Sequence, residues 1–286
     1  MKKRLLAAVV GMVMGVAILL VPFLMDRRQA YQNSLAISMM TSRYDRYDDN
    51  RKILEEQLEQ AIAYNKWLAG DATGEGIRAY EEQLSFDGDG VMGYLWIPSI
   101  DLKILLYHGT GEDVLSVGAG HLEHTSLPIG GISSHCVVTA HSGMRASRAF
   151  DDIRLLKKGD LFAACVYGNQ YVYEVERTEV VLPEETESLQ IVKGEDRMTL
   201  VTCTPYGIND HRLLVHGVRS EKQIPEIIKE NEEGGVVDLR PPSLRADLRS
   251  IPLFGAGLIV LIVLAFIAFN LRKKRRKTNR CHMKKS

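Results

Sequence analysis

Two residue types capable of acyl-transfer chemistry stand nine positions apart in TLVTCTPYGINDHRLLVHG, residues 199–217. Cys203 ends one apolar run and Arg212 begins another. A cysteine that attacks a carbonyl needs a way to become thiolate, a nearby acid or base, and donors for the oxyanion that forms. Arginine does not deprotonate near neutral pH, so Arg212 can serve only electrostatically, by hydrogen-bonding a substrate or oxyanion and favouring the thiolate. The bland alternatives are a buried strand-end thiol and a surface arginine on a hairpin.

For the base there are seven histidines between residues 29 and 250. His141 follows the apolar run CVVTA and precedes the loop SGMRAS, so it combines a buried strand with an exposed tip, as Cys203 does. His121 and His124 lie in the turn-rich GAGHLEHTSLP, while His211 and His216 lie in the run that holds Arg212. Residue type and spacing leave the choice among these open.

The elements that must position these groups read mainly as β-strands. GYLWIPSIDLKILLYHGT, SHCVVTAH, DLFAACVYGNQYVYEVERTEVVL, RMTLVTCT and RLLVHGVRS alternate and are rich in β-branched and aromatic residues, with turns at IPSID and GNQ. Seven or eight strands over about 130 residues, with short helical pieces at EDVLSVGAG, RAFDDIRLL and TESLQIV, predict an antiparallel sheet closed into a barrel or sandwich. Ahead of them, KILEEQLEQAIAYNKWLAG places Ile53, Leu54, Leu58, Ala61, Ile62 and Leu68 near one face at helical spacing. GDATGEG, residues 70–76, is a loop.

Both ends of the chain read as membrane spans. Leu5–Met25 is 21 uncharged residues and Ile251–Phe269 is 19, each long enough to cross a hydrocarbon layer of roughly 30 Å as a helix. The first has a basic start but no small-x-small cleavage site, which favours an anchor over a cleaved signal peptide. The tail LRKKRRKTNRCHMKKS carries nine Lys or Arg and no acid, so both termini are expected in the cytoplasm and the middle outside. That tail also suits contact with anionic membrane lipid.

Overall formal neutrality hides a strong asymmetry: residues 29–250 hold 22 Lys or Arg against 35 Asp or Glu, a formal −13. An acidic external region argues against nucleic-acid binding. The four cysteines, Cys136, Cys165, Cys203 and Cys281, form no CxxC pair and no metal-spaced cluster with histidine. Cys136 and Cys165 sit inside strand patterns and read as small core residues. Nothing in the spacing calls for a metal or a cofactor.

TLVTCTPYGINDHRLLVHG resembles the Cys motif and trailing arginine of the sortases, membrane-bound cysteine transpeptidases of Gram-positive bacteria, and VVTAHSG is similar to their His motif. The likeness runs from about Gly93 to Arg219, and the C-terminal span and CTPYG further resemble the class C, pilus-assembling sortases. SLPIGG, residues 126–131, lacks the threonine of a sorting signal and reads as a structural turn. The resemblance implies an eight-stranded sortase-type β-barrel with short helices, an N-terminal amphipathic helix and two flanking transmembrane helices. It also implies Cys203 as nucleophile, His141 as general acid and then base, and Arg212 holding substrate and oxyanion. The implied substrates are LPXTG-bearing surface or pilin proteins, cleaved between Thr and Gly, with a pilin lysine resolving the thioester. The implied organisation is a cytoplasmic N-terminus and anchor over 1–28, a helical, lid-like segment over 29–90 and the catalytic barrel over 91–222. A linker over 223–250, a second span over 251–270 and a basic cytoplasmic tail over 271–286 follow.

One feature departs from class C: no Asp-Pro-aromatic triplet occurs between residues 29 and 90, which leads us to expect an open cleft without the usual lid. Two other functions compete. The chain could anchor single surface proteins to a cell-wall precursor amine, or be an inactive membrane-tethered binding module that keeps the barrel alone.

Overall fold

The computed structural model describes residues 48–85, 88–142 and 149–224, together with 31–42 and isolated positions between 11 and 28. The first expected span lies largely, and the second wholly, outside the described residues, as do the 225–250 linker and the basic tail. Among the described residues no helix is long and apolar enough to cross a membrane. Met1–Pro241 and Pro242–Ser286 form separate compact units, and every described residue belongs to the first.

Eight strands close into a barrel in the order β1-β2-β3-β4-β7-β8-β6-β5. They are β1 (Val91–Ile97), β2 (Leu102–His108), β3 (Ala119–His121), β4 (Ser134–Thr139), β5 (Leu161–Val166), β6 (Asn169–Val181), β7 (Asp196–Thr204) and β8 (His211–Arg219). The expected all-antiparallel sheet is corrected here: β2 pairs β3 in parallel, and β4 pairs β7 in parallel. Period-two alternation tells which residues face the core but not which strand lies alongside. The helical pieces are short: α2 (Glu112–Leu115) and single 3-10 turns at Ile153–Leu155 and Glu187–Leu189.

Local chemistry explains the sharpest corners. The β5–β6 hairpin turns on Tyr167 and Gly168, at φ 50° and 79°, the pair of positive dihedrals that matches strand twist in a two-residue turn. Where β1 meets β5 to close the barrel, a Cβ on Gly93 would lie 2.2 Å from the Cys165 carbonyl oxygen. Only glycine allows the two backbones to approach that closely. Inside, Phe162 and Tyr173 stack with ring centroids 5.8 Å apart, beside Leu95, Leu106, Met198 and Leu200, all fully buried.

The amphipathic helix forms as α1 (Asp48–Leu68). Leu54, Leu58, Ala61, Tyr64 and Leu68 pack on the barrel core. Ile53 and Ile62, expected on the same face, are instead 48% and 46% exposed, because the centre of that face is occupied by Ala61 and Asn65. Asn65 accepts from Leu127 N–H at 2.7 Å and donates to the Leu127 and Gly130 carbonyls, both at 3.2 Å. One buried side chain thus ties α1 to SLPIGG, which is a structural turn with Gly130 at φ 64° and Gly131 at φ 123°. Tyr80 makes a second tie: its hydroxyl accepts from Gly109 N–H at 3.0 Å and lies 2.9 Å from His121 Nδ1.

Candidate active site

Strand β7 sets the geometry. Met198 and Leu200 belong to the core, so the alternate residues Thr199, Val201 and Cys203 face the outside of the barrel. On β4, Cys136 and Val138 are core residues, so His135, Val137, Thr139 and then His141 share the outer face. On β8, Val215 is in the core and Arg212, Leu214 and His216 face outward. The three strands lie side by side, and their outer faces form one surface with the cysteine at its end.

Register brings the three expected residues to one level. Cys203 pairs directly with Arg212 between β7 and β8. In the parallel β4–β7 pair Thr139 lies opposite Val201, and two more residues along the same register bring His141 level with Cys203. Backbone pairing reaches Ala140, whose N–H donates to the Val201 carbonyl at 3.3 Å, and the Ser142 side chain donates from Oγ to the Cys203 carbonyl at 2.7 Å, so contacts flank His141 on both sides. The parallel pairing, which strand patterning does not encode, is what brings His141 to the cysteine.

Cys203 is partly exposed, whereas Cys136 and Cys165 are buried, and none of the three is in a disulfide. Burial pushes the Cys136 thiol well above its ordinary value, which keeps it a neutral core group. The His141 ring is mostly enclosed; its Nε2 has no hydrogen-bond partner among the described residues, and the nearest carboxylate oxygen, Glu112 Oε2, is 3.4 Å away. Its backbone carbonyl accepts from Phe150 N–H at 3.0 Å. Arg212 Nη1 donates to the Asn209 and His211 carbonyls at 3.1 and 3.0 Å, so the guanidinium is braced by the β7–β8 loop.

The other histidines are held elsewhere. His108 ends β2, with Nδ1 3.0 Å from the Gly90 carbonyl and Nε2 2.6 Å from the Gln83 carbonyl. His121 is completely buried in β3, where burial pushes its pKa down to about 4 against the opposing hydrogen bond of the Ser126 carbonyl. His124 is exposed at φ 65° in a turn. His211, the first residue of β8, pairs with Asp210 at 2.8 Å. His216 is buried on the outer face, four pairs along the strand from Arg212. His141 alone combines a strand-end position with the level of Cys203.

A cluster that sequence reading missed lies further along the same face. His135 Nε2 is 2.7 Å from Thr199 Oγ1, which is 2.8 Å from His216 Nδ1, whose Nε2 is 3.0 Å from Glu179 Oε1. The available signal was the period-two row His135, Val137, Thr139, His141, which puts a second histidine on the face of the first.

Comparison with known proteins shows the family. A family model described as the sortase domain matches residues 95–220. Among curated relatives, sortase A of Bacillus anthracis is 27% identical over 179 residues, covering 61% of this chain and 83% of that protein. Among solved structures, sortase C1 of Streptococcus agalactiae is 41% identical with a TM-score of 0.61, covering 66% of this chain and 99% of that one. Sortase C of Clostridium perfringens, solved with the C-terminal cell wall sorting motif, is 38% identical with a TM-score of 0.58, covering 65% and 98%.

Proposed function

The chain belongs to the sortase family of cysteine transpeptidases, and on that premise we propose that it cleaves an LPXTG-like sorting signal between Thr and Gly and joins the new carboxyl to a pilin lysine. The observation that carries this reading is the register that sets Cys203 between His141 on the parallel side and Arg212 on the antiparallel side.

The steps balance as follows. The Cys203 thiolate attacks the threonine carbonyl, and Arg212 donates hydrogen bonds to the oxyanion or the substrate carbonyls. His141, as imidazolium, protonates the departing glycine amine, leaving a thioester and a neutral imidazole. The lysine amine attacks the thioester; His141 takes its proton, an isopeptide bond forms, and Cys203 leaves as thiolate. His141 thus gives one proton to the departing amine and regains one from the lysine, which restores the imidazolium–thiolate pair. Residues 5–25 and 251–269 hold the domain at the outer surface of the cell membrane, with both termini cytoplasmic.

A lysine acceptor is favoured by the likeness to two sortases C at 41% and 38% identity. Transfer to a peptidoglycan amine is the second reading, favoured by the likeness to a sortase A. The full-length chain, given an LPXTG peptide together with equal concentrations of a lysine-bearing pilin peptide and a peptidoglycan stem-peptide amine, separates them by product mass. The reading predicts the lysine isopeptide as main product; predominant transfer to the stem peptide would replace it with the second.

A further inference from the structure

The buried chain on the outer face contains more hydrogen bonds than its neutral groups have hydrogens for. Four contacts run in series: Gln190 carbonyl to His135 Nδ1 at 2.9 Å, His135 Nε2 to Thr199 Oγ1 at 2.7 Å, Thr199 Oγ1 to His216 Nδ1 at 2.8 Å, and His216 Nε2 to Glu179 Oε1 at 3.0 Å. Each contact needs one hydrogen. Two neutral imidazoles and one hydroxyl supply only three, and the carbonyl and the ionised carboxylate supply none. Closing all four bonds therefore requires one extra proton, held as a histidinium in the His135–His216 pair.

Chemistry also says which residue goes short when that proton is absent. The Glu179 carboxylate demands a hydrogen on His216 Nε2, since two bare acceptors at 3.0 Å repel and the charge-assisted bond is the stronger one. His216 Nδ1 then accepts from Thr199, so the deficit falls on His135, whose single hydrogen serves either the Gln190 carbonyl through Nδ1 or the Thr199 oxygen through Nε2. Either way the series that ties the β6–β7 connection, residues 182–195, to the face that ends in Cys203 is broken at one link.

We infer that His135, Thr199, His216 and Glu179 are positioning residues that clamp the β6–β7 connection through one shared proton, and so set how well the sorting signal binds. The proposal rests on the sortase reading for its substrate. Val181, the last residue of β6, pairs with Arg212, which pairs with Cys203, so the β6–β7 connection leaves the sheet beside the cysteine. Thr199 stands four residues from Cys203 on the same face, about 13 Å at strand rise, so the clamp acts away from the reacting atoms. Ser188 in the same connection hydrogen-bonds Glu179, giving a second tether on the same carboxylate.

The charges around the chain set its working range. From β6, Arg177 pairs with Glu179 and acts on both histidines; from β7, Arg197 acts on His135 and is itself paired with Glu195 and Glu176. Burial, aided by Arg197 and Arg177, holds His135 below its ordinary value despite the Gln190 carbonyl. Burial and Arg177 likewise hold His216 down, against Glu179. Burial pushes the Glu179 carboxyl up, but hydrogen bonds from Ser188, His216 and Arg177 outweigh it and keep it ionised. The clamp therefore closes only as pH falls below the ordinary histidine value and loosens as pH rises.

The test uses the full-length chain, wild type beside Thr199→Val, Thr199→Ser and Ser188→Ala, with a fluorogenic LPXTG peptide between pH 5 and 8 and 15N-histidine spectra. Expected are a wild-type KM that rises with pH, a Thr199→Val KM raised about fivefold and flat with pH while kcat stays within twofold, and recovery in Thr199→Ser. Ser188→Ala, which leaves the buried chain intact, should raise KM in the same direction even if Thr199→Val does not fold. In the spectra, one proton is taken up by the His135–His216 pair as a unit. Rings that stay neutral at pH 5, or Thr199→Val and Ser188→Ala enzymes with wild-type KM profiles, would overturn the clamp. A wild-type chain inert on the peptide would instead count against the sortase substrate, with the spectra still deciding the proton.

Discussion

A thiol at a strand end becomes a nucleophile only when a neighbour can exchange protons with its substrate and another can hold the developing negative charge. In the proposed reaction His141, two residues past the Thr139–Val201 pair of the parallel β4–β7 register, is the neighbour for the first task. Replacing it by alanine is expected to lower kcat/KM by at least about a hundredfold, since general acid–base catalysis contributes roughly that much or more. Arg212, paired with Cys203 and braced by the Asn209 and His211 carbonyls, is proposed for the second. Arg212→Ala should lose on the order of 3 kcal/mol of transition-state stabilisation, the range for an oxyanion donor. Arg212→Lys should recover little, because an ammonium cannot copy the planar fork; full activity in the lysine variant would remove the oxyanion role. Steady-state kinetics with an LPXTG peptide reads all three. These residues were legible because each ends or begins an apolar run and because the surrounding motifs resemble a known family. Choosing His141 from the residues alone was not possible, since the other histidines differ from it only in burial and register.

At the scale of elements, α1 is held to the barrel by a polar anchor as much as by its apolar face. Asn65 satisfies one N–H and two carbonyls of the 127–130 turn, and leaving such buried groups unpaired costs roughly 1–3 kcal/mol each. Asn65→Leu is therefore expected to lower stability by a few kcal/mol, read as a reduced urea midpoint, while alkylation of Cys203 in the folded state proceeds at the wild-type rate. An unchanged midpoint would mean that the apolar face alone seats the helix. The helix itself was plain from its periodicity, but the apolar pattern enrolled Ile53 and Ile62, and it ignored Asn65, whose role depends on a turn sixty residues away. The strands were visible for the same reason as the helix, and their parallel partners were not, because side-chain alternation is identical in parallel and antiparallel pairs.

The whole domain carries a buried histidine whose protonation opposes folding. His121 sits between Tyr80 of the N-terminal segment and Ser126 of the barrel, with its pKa pushed down to about 4, chiefly by burial. An unfolded chain binds that proton near pH 6.5, so the unfolded state is favoured progressively as pH drops from 6.5 to 4. The contribution is fully present above the unfolded value and is lost across that window, on the order of 3 kcal/mol. Urea midpoints should fall between pH 7 and 4, and less steeply in a folded His121→Gln variant; parallel slopes would assign the acid sensitivity elsewhere. The same scale holds the charge asymmetry, with 22 basic against 35 acidic residues over 29–250 and nine basic residues in the tail. In the proposed topology the acidic stretch lies outside the cell and the basic tail in the cytoplasm.

In the proposed reaction Cys203 takes the acyl group from a sorting signal, so intact-mass analysis of the full-length chain after incubation with an LPXTG peptide is the decisive experiment. Expected is an adduct equal to the peptide fragment ending in Thr, sensitive to hydroxylamine and absent from Cys203→Ala. An adduct that persists in Cys203→Ala, or a reactive Cys203 that never acquires the fragment from any LPXTG-type peptide, would contradict it.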